Sequence, residues 1–217
     1  TDGSNLNGLG RIGVDPRWVA LKWHADRTLS LDRLEAGSRL AHLFARKGHE
    51  LELKARGQVV LDGQRLPPQM EQVVGGFFSV RGYEESIAAG DDGLMGSVEY
   101  RVRLPEALSL SPRPRNRVWG IPFRSFPQQP GGGTDWGLML RAFLDAGHVS
   151  ANQRSNIEAD ATLVSCGLGL EAQLLKNLSI RCDWGIALKT VDDAFGTPRD
   201  GAESGDSRLH LVLTALW

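Results

Sequence analysis

Apolar and polar residues alternate with a period of two along much of the chain, most clearly near the C-terminus. In "LSIRCDWGIALK", Leu178, Ile180, Cys182, Trp184, Ile186 and Leu188 fall on one side, and Ser179, Arg181, Asp183, Gly185, Ala187 and Lys189 on the other. Successive side chains of an extended strand point to opposite faces, so the pattern predicts a strand with one apolar and one polar face. "SRLHLVLTALW" repeats it, with Leu209, Leu211, Leu213, Ala215 and Trp217 opposed to Arg208, His210, Val212 and Thr214. "ELELKARGQVVL" sets Leu51, Leu53, Ala55, Val59 and Leu61 against Glu50, Glu52, Lys54, Arg56 and Gln58; "GLMGSVEYRVRL" sets Leu94, Val98, Tyr100, Val102 and Leu104 against Ser97, Glu99, Arg101 and Arg103. Further strands are expected at Trp18 to Thr28, Gln69 to Phe77, Asp135 to Ala146 and Ala161 to Ala172, about eight in all. Most have roughly the 9–11 residues of a membrane β-strand.

A soluble antiparallel sheet with one face in water is the general alternative for such alternation. Here the polar side carries both signs of charge strand after strand, while the other side is almost wholly aliphatic or aromatic. That division suits a hydrated lumen inside and lipid outside, whereas a small soluble barrel fills its interior with apolar groups. The fold expected is all-β, an antiparallel transmembrane barrel. "QLLKN" is a short turn and "TVDDAFGTPRDGAESGD" a long polar loop, which fits short turns at one rim and long loops at the other. Trp18, Trp136 and Trp217 are expected towards the short-turn rim, as an interfacial girdle. Two stretches resist the scheme. "LDRLEAGSRLAHLFARKGH" has Leu31, Leu34, Leu40, Leu43 and Phe44 at spacings that also suit a short helix. The segment 105–134 holds six of the ten prolines with Arg113, Arg115, Arg117 and Arg124, and is not expected to form a strand.

Composition narrows the partners. Hydrophobic content is 41%, and no apolar run reaches the roughly 18 residues of a membrane helix. Twenty-five basic residues nearly balance 26 acidic ones, which argues against nucleic acid as a partner. The start "TDGSNLNGLGRIG" has neither an initiator Met nor a signal sequence, so the chain is expected to be a piece of a longer protein. Cys166 and Cys182 lack metal or redox spacing, and whether they pair is not legible. The five histidines are scattered, and no nucleotide-binding or metalloprotease motif occurs. No nucleophile and base stand out, so neither enzyme activity nor a cofactor is expected.

"VRGY" (Val80, Arg81, Gly82, Tyr83), preceded by "GGFFS" and followed by "EESIAAGDDGLMGSVEYRVRLP", resembles the signature loop of the two-partner secretion transporters. These are the haemolysin activator/secretion proteins (TpsB type), related to BamA-type barrel assembly proteins. "LMLRAFLDAG" resembles a second family motif, with Phe143, Asp145 and Gly147 at the matching positions, and the terminal strand ending in Trp217 resembles a third. The resemblance covers about Arg46 to Trp217. It implies that 1–217 is the C-terminal part of a sixteen-stranded outer-membrane barrel, with the first half and the periplasmic POTRA domains upstream. It also implies that the loop 75–93 tucks into the lumen. The Pro/Arg-rich insertion 105–134 has no counterpart in the family pattern.

An arginine buried in a lumen needs a partner, because an unpaired desolvated charge costs several kcal/mol. Parity places Met139, Arg141, Phe143 and Asp145 inward on their strand, so Asp145 is the carboxylate expected to take a two-pronged hydrogen bond from Arg81. Gly82 is expected to allow a tight turn beside it, Gly75 and Gly76 an inward bend, and Tyr83 to pack on the wall. The function implied is export of a large partner polypeptide through the lumen. The alternatives are membrane insertion in the assembly branch and a structural barrel without transport. The partners implied are the exported polypeptide, the outer-membrane bilayer and, during biogenesis, the barrel assembly machinery. Leu209, Leu211, Leu213 and Trp217 would form the C-terminal insertion signal. Replacing Trp217 with Ser should then lower the assembled fraction, read as the heat-modifiable band on a gel; unchanged assembly would remove that role.

Overall fold

The computed structural model describes residues 11, 13–31, 48–104, 116–118, 121–124, 134–175 and 177–216. These residues are all-β: β1 (Ala20–Ser30), β2 (His49–Val60), β3 (Gln72–Val74), β4 (Ala88–Gly90), β5 (Asp92–Leu104), β6 (Asn116–Val118), β7 (Ile121–Phe123), β8 (Trp136–Ser150), β9 (Ala161–Leu174), β10 (Leu178–Ala187) and β11 (Ser207–Ala215). Seven make one sheet in the order β1-β2-β5-β8-β9-β10-β11. Every pair in it is antiparallel. β1 and β11 are its edges, so the sheet is open.

The register carries the alternation of each strand across the whole sheet. Leu29, Leu51, Tyr100, Ala142, Leu168, Trp184 and Leu209 form one transverse row through all seven strands. That face is open to its surroundings: Leu21, Leu53, Val98, Leu144, Leu168, Ile180, Trp184 and Leu211 are all exposed. Ile186, at the end of β10, is half-buried. Arg27 of β1, opposite Leu53, is a charged exception on this face; an apolar face running through seven strands exceeds the patches found on soluble monomers. Cys166 lies opposite Ile186 and Cys182 opposite Leu170, two pleats apart, and both are free.

The other face is covered by the segment between β2 and β5. Its small apolar core joins Val74, Val80 and Tyr83 of that segment to Met95, Val149, Leu163 and Ala187 of the sheet, and to Val191 and Ala202 of the connection before β11. The loop proper is 75–87, shorter than the 75–93 expected, because 88–90 form β4 and Asp92 already begins β5. β3 and β4 pair with each other and so close the loop at its base.

Four expectations need correction. Gln69 to Phe77 is not a strand of the sheet: only Gln72–Val74 is extended, and it pairs with β4. Gly75 and Gly76, at φ of +106° and +92°, turn the chain away from strand geometry. The sheet therefore has seven strands here rather than eight, and removing one strand reverses the direction assigned to everything before it. Trp18 thus lies at the rim of the 61–91 connection, since Ala20 pairs with Val60, whereas Trp136 lies beside the short turn 175–177. The 31–48 connection also leaves from the short-turn end, whereas 105–135 leaves from that end as the strand count back from the C-terminus predicts, so long connections occur at both rims. Within 105–134, residues 116–118 and 121–123 do pair, as a short hairpin. Proline is tolerated there because so small a ribbon is all edge. The stretch 32–47, the rest of that insertion and Trp217 lie outside the described residues.

At the long-loop rim an ionic cluster ties three segments together. Fully buried Asp91 takes Arg11 Nη1 at 2.6 Å and Nη2 at 2.9 Å, with the backbone N–H groups of Leu66 and Asn152 each at 2.7 Å. Glu158 takes Arg11 Nε at 2.8 Å and Arg65 Nη1 and Nη2 at 2.9 and 2.8 Å. Burial alone would raise the Glu158 carboxyl, but the Ser155 N–H and the two guanidinium groups outweigh it and bring it from 4.5 to about 2. A carboxylate lowered on folding stabilises fully above its unfolded value and loses that contribution as pH falls towards the folded one. Stability should therefore decline between about pH 4.5 and pH 2, and Glu158→Gln should flatten that limb in urea titrations taken across this window.

Candidate functional site

Arg81 is 4% exposed and sits where the loop crosses the centre of the sheet. Asp145 of β8 accepts Nε at 2.8 Å and Nη2 at 2.9 Å, a two-pronged contact, and the Arg81 backbone N–H at 3.2 Å. Nη1 reaches Glu99 of β5 at 2.8 Å and Asp183 of β10 at 3.1 Å. Ser97 donates to Asp145 Oδ1 at 2.6 Å. The guanidinium carbon lies 3.4 Å from the centroid of the Phe143 ring, in the cation–π arrangement. One cation thus meets three buried carboxylates and an aromatic face. Burial alone would lower the Arg81 pKa, but the hydrogen bonds and charges of Asp145 and Glu99 outweigh it, so the group stays charged.

Backbone and small residues make room for this. Gly82 has φ of +94°, a conformation that side-chain-bearing residues avoid, and it lies against β10. A Cβ at Gly185 would stand 2.6 Å from the Gly82 nitrogen, and one at Gly147 2.9 Å from Val80 Cγ2. Gly147 therefore gives Val80 its seat. Tyr83 is fully buried, and its hydroxyl lies 2.9 Å from the Val164 carbonyl and 2.6 Å from that of Lys189. A phenol has one hydrogen, so it donates to one of these at a time while accepting from the Val164 and Lys189 N–H groups at 3.3 Å. It fastens the loop to the ends of β9 and β10.

Next to Arg81 lies a cavity of about 340 Å3 lined by Asp26, Lys54, Phe78, Arg81, Glu99 and Arg181 among others. In a flat sheet β1 and β10 stand five strand spacings, about 24 Å, apart. That both border one cavity means the sheet curls around the loop. Phe78 is 79% exposed, while Phe77 lies under Arg181, whose guanidinium carbon is 4.4 Å from the ring centroid.

The structure thus brings together Val80, Arg81, Gly82, Tyr83, Phe143, Asp145 and Gly147. Leu209, Leu211 and Leu213 are exposed on the open face of β11, away from them. Glu99, Asp183 and Ser97 were not singled out by the sequence. Parity puts each on the polar face, but their convergence depends on inter-strand register. Among the described residues no group of His, Cys, Asp or Glu is arranged to hold a metal. Comparison with protein-family models, curated proteins and solved structures returns no match.

Removing one member of a buried pair costs roughly 3–5 kcal/mol. Arg81→Ala and Asp145→Ala should each loosen the loop by about that much. The double substitution should cost far less than their sum, because the two act as one unit. Protease cleavage within 75–87, compared across the three variants, measures this; additive effects would show that Asp145 is not the principal partner.

Proposed function

We propose that the chain is the C-terminal part of an outer-membrane β-barrel of the haemolysin activator/secretion type, which exports a large partner polypeptide through its lumen. The observation that carries this reading is the opposition of the two faces. One is apolar through seven strands, Arg27 excepted, and exposed; the other is charged and clasps a loop through Arg81. A bilayer is the surrounding that makes the first face stable, and a water-filled lumen is what the second requires. The free edges of β1 and β11 are where the remaining strands of a sixteen-stranded barrel would pair.

On this reading transport needs no bound nucleotide and no covalent step in the chain. The loop holds the lumen in a defined state, folding of the partner outside draws it through, and the mixed-charge wall offers an extended chain both donors and acceptors. The resemblance of VRGY, FLDAG and the terminal strand to the family motifs supports export over a barrel without transport, for which a clasped loop has no use.

Two outcomes are expected. Leu144→Arg places a charge in the hydrocarbon and should lower folding into lipid vesicles by about 2–4 kcal/mol, while Gln173→Arg on the other face should be close to neutral. Arg81→Ala should reduce the amount of partner in the culture medium while the barrel level in the outer membrane stays constant. Export at the native level would remove the loop from the mechanism, and full solubility of the Leu144→Arg protein without detergent would remove the membrane.

A further inference from the structure

Among the described residues every group that holds the Arg81 side chain belongs to the sheet. Ser97 and Glu99 come from β5, Phe143 and Asp145 from β8, and Asp183 from β10. The receptor is therefore built on strands and does not need the loop for its own shape. Sites carried by regular elements keep their geometry better than sites on loops.

The wall also contains its own cations. Arg101 pairs with Glu99 at 2.6 Å and Arg181 with Asp183 at 2.6 Å. Arg141 is 3% exposed and stands 3.2 Å from Asp183 Oδ1 and 3.9 Å from Glu99, yet its Nε and Nη2 make no hydrogen bond, and neither does Asp183 Oδ1. A buried guanidinium with idle donors beside a buried carboxylate with an idle oxygen is placed to close that bond when a competitor leaves. If Arg81 withdraws, Glu99 and Asp183 each keep a cation. Among the described residues Asp145 alone loses its only one, since its remaining side-chain partner there is the neutral Ser97 hydroxyl. The cavity of about 340 Å3 meets the receptor on the side of Ser97 and Glu99.

We propose that Asp145, Phe143 and Ser97 form an arginine-binding site in which Arg81 is a displaceable internal ligand, and that the external ligand is an arginine side chain of a polypeptide lying in the adjoining cavity. The carboxylate fork and the ring beneath it fit a planar guanidinium. A lysine ammonium presents a single point of charge and cannot use both. The tethered Arg81 competes at an effective concentration on the order of millimolar, so an arriving arginine wins only when its own chain is held nearby. Identifying that chain with the exported partner rests on the export reading; the binding itself does not.

The test uses the full-length protein in detergent micelles and a fluorescent hexapeptide of Gly and Ser bearing one Arg, with Lys and Gln versions as controls. Arg81→Ala empties the site and should bind the Arg peptide at least tenfold more tightly than the native protein does, and at least tenfold more tightly than it binds the Lys peptide. Adding Asp145→Asn should abolish the difference. A folded Arg81→Ala protein that binds no peptide, or binds all three alike, overturns the proposal. A second measurement keeps Arg81 and labels Ser79→Cys on a Cys166→Ser, Cys182→Ser background. Millimolar Arg peptide should accelerate labelling by releasing the loop, and an unchanged rate overturns displacement. Intact peptide binding in a protein that exports nothing would count against the export reading and leave this site standing.

Discussion

A guanidinium buried against three carboxylates is the constraint from which the rest of this architecture follows. Desolvating one such charge without partners costs several kcal/mol. The sheet must therefore present acids from β5, β8 and β10 at one point, which demands both inward parity and curvature. The loop must turn sharply enough to aim the side chain, which demands Gly82. Close approach of loop to strand demands bare backbone at Gly185. Each of these features answers to the same cation.

The second organising fact is the inversion of the ordinary plan of a β-protein. A soluble sandwich hides its apolar faces and wets its polar ones. Here the apolar core is a small patch between loop and sheet near one rim, while most large hydrophobic side chains project from the uncovered face. The polar face is held together by charge instead: Arg101 bridges Glu52 and Glu99, which stand directly opposite each other on β2 and β5 and would otherwise repel.

The long strands were legible because apolar and polar positions alternate within each, a property local to about ten residues. The reading failed where alternation was accidental. "QMEQVVGGF" mimics a strand, but the paired glycines take positive φ and hand the chain to the loop. With one strand fewer in the sheet Trp18 stands at the opposite rim, since strand direction is inherited from every strand that follows. The inward placement of Asp145 is likewise local and was legible; the convergence of Ser97, Glu99 and Asp183 on the same point was not. Neighbours across a sheet are set by register, and register is fixed by turns and distant contacts that no short window contains. The rim cluster of Arg11, Asp91 and Glu158 joins residues far apart in sequence and left no local trace.

The pairing of β3 with β4 has a mechanical consequence. These three-residue strands zip the entry and exit of the loop into a neck, and Asp91, next to Gly90, anchors that neck to the rim. A pull on either end is therefore shared by both, and the loop cannot be unthreaded residue by residue from one side. A rotation at the neck would therefore carry Arg81, midway along 75–87, away from Asp145 together with the rest of the loop.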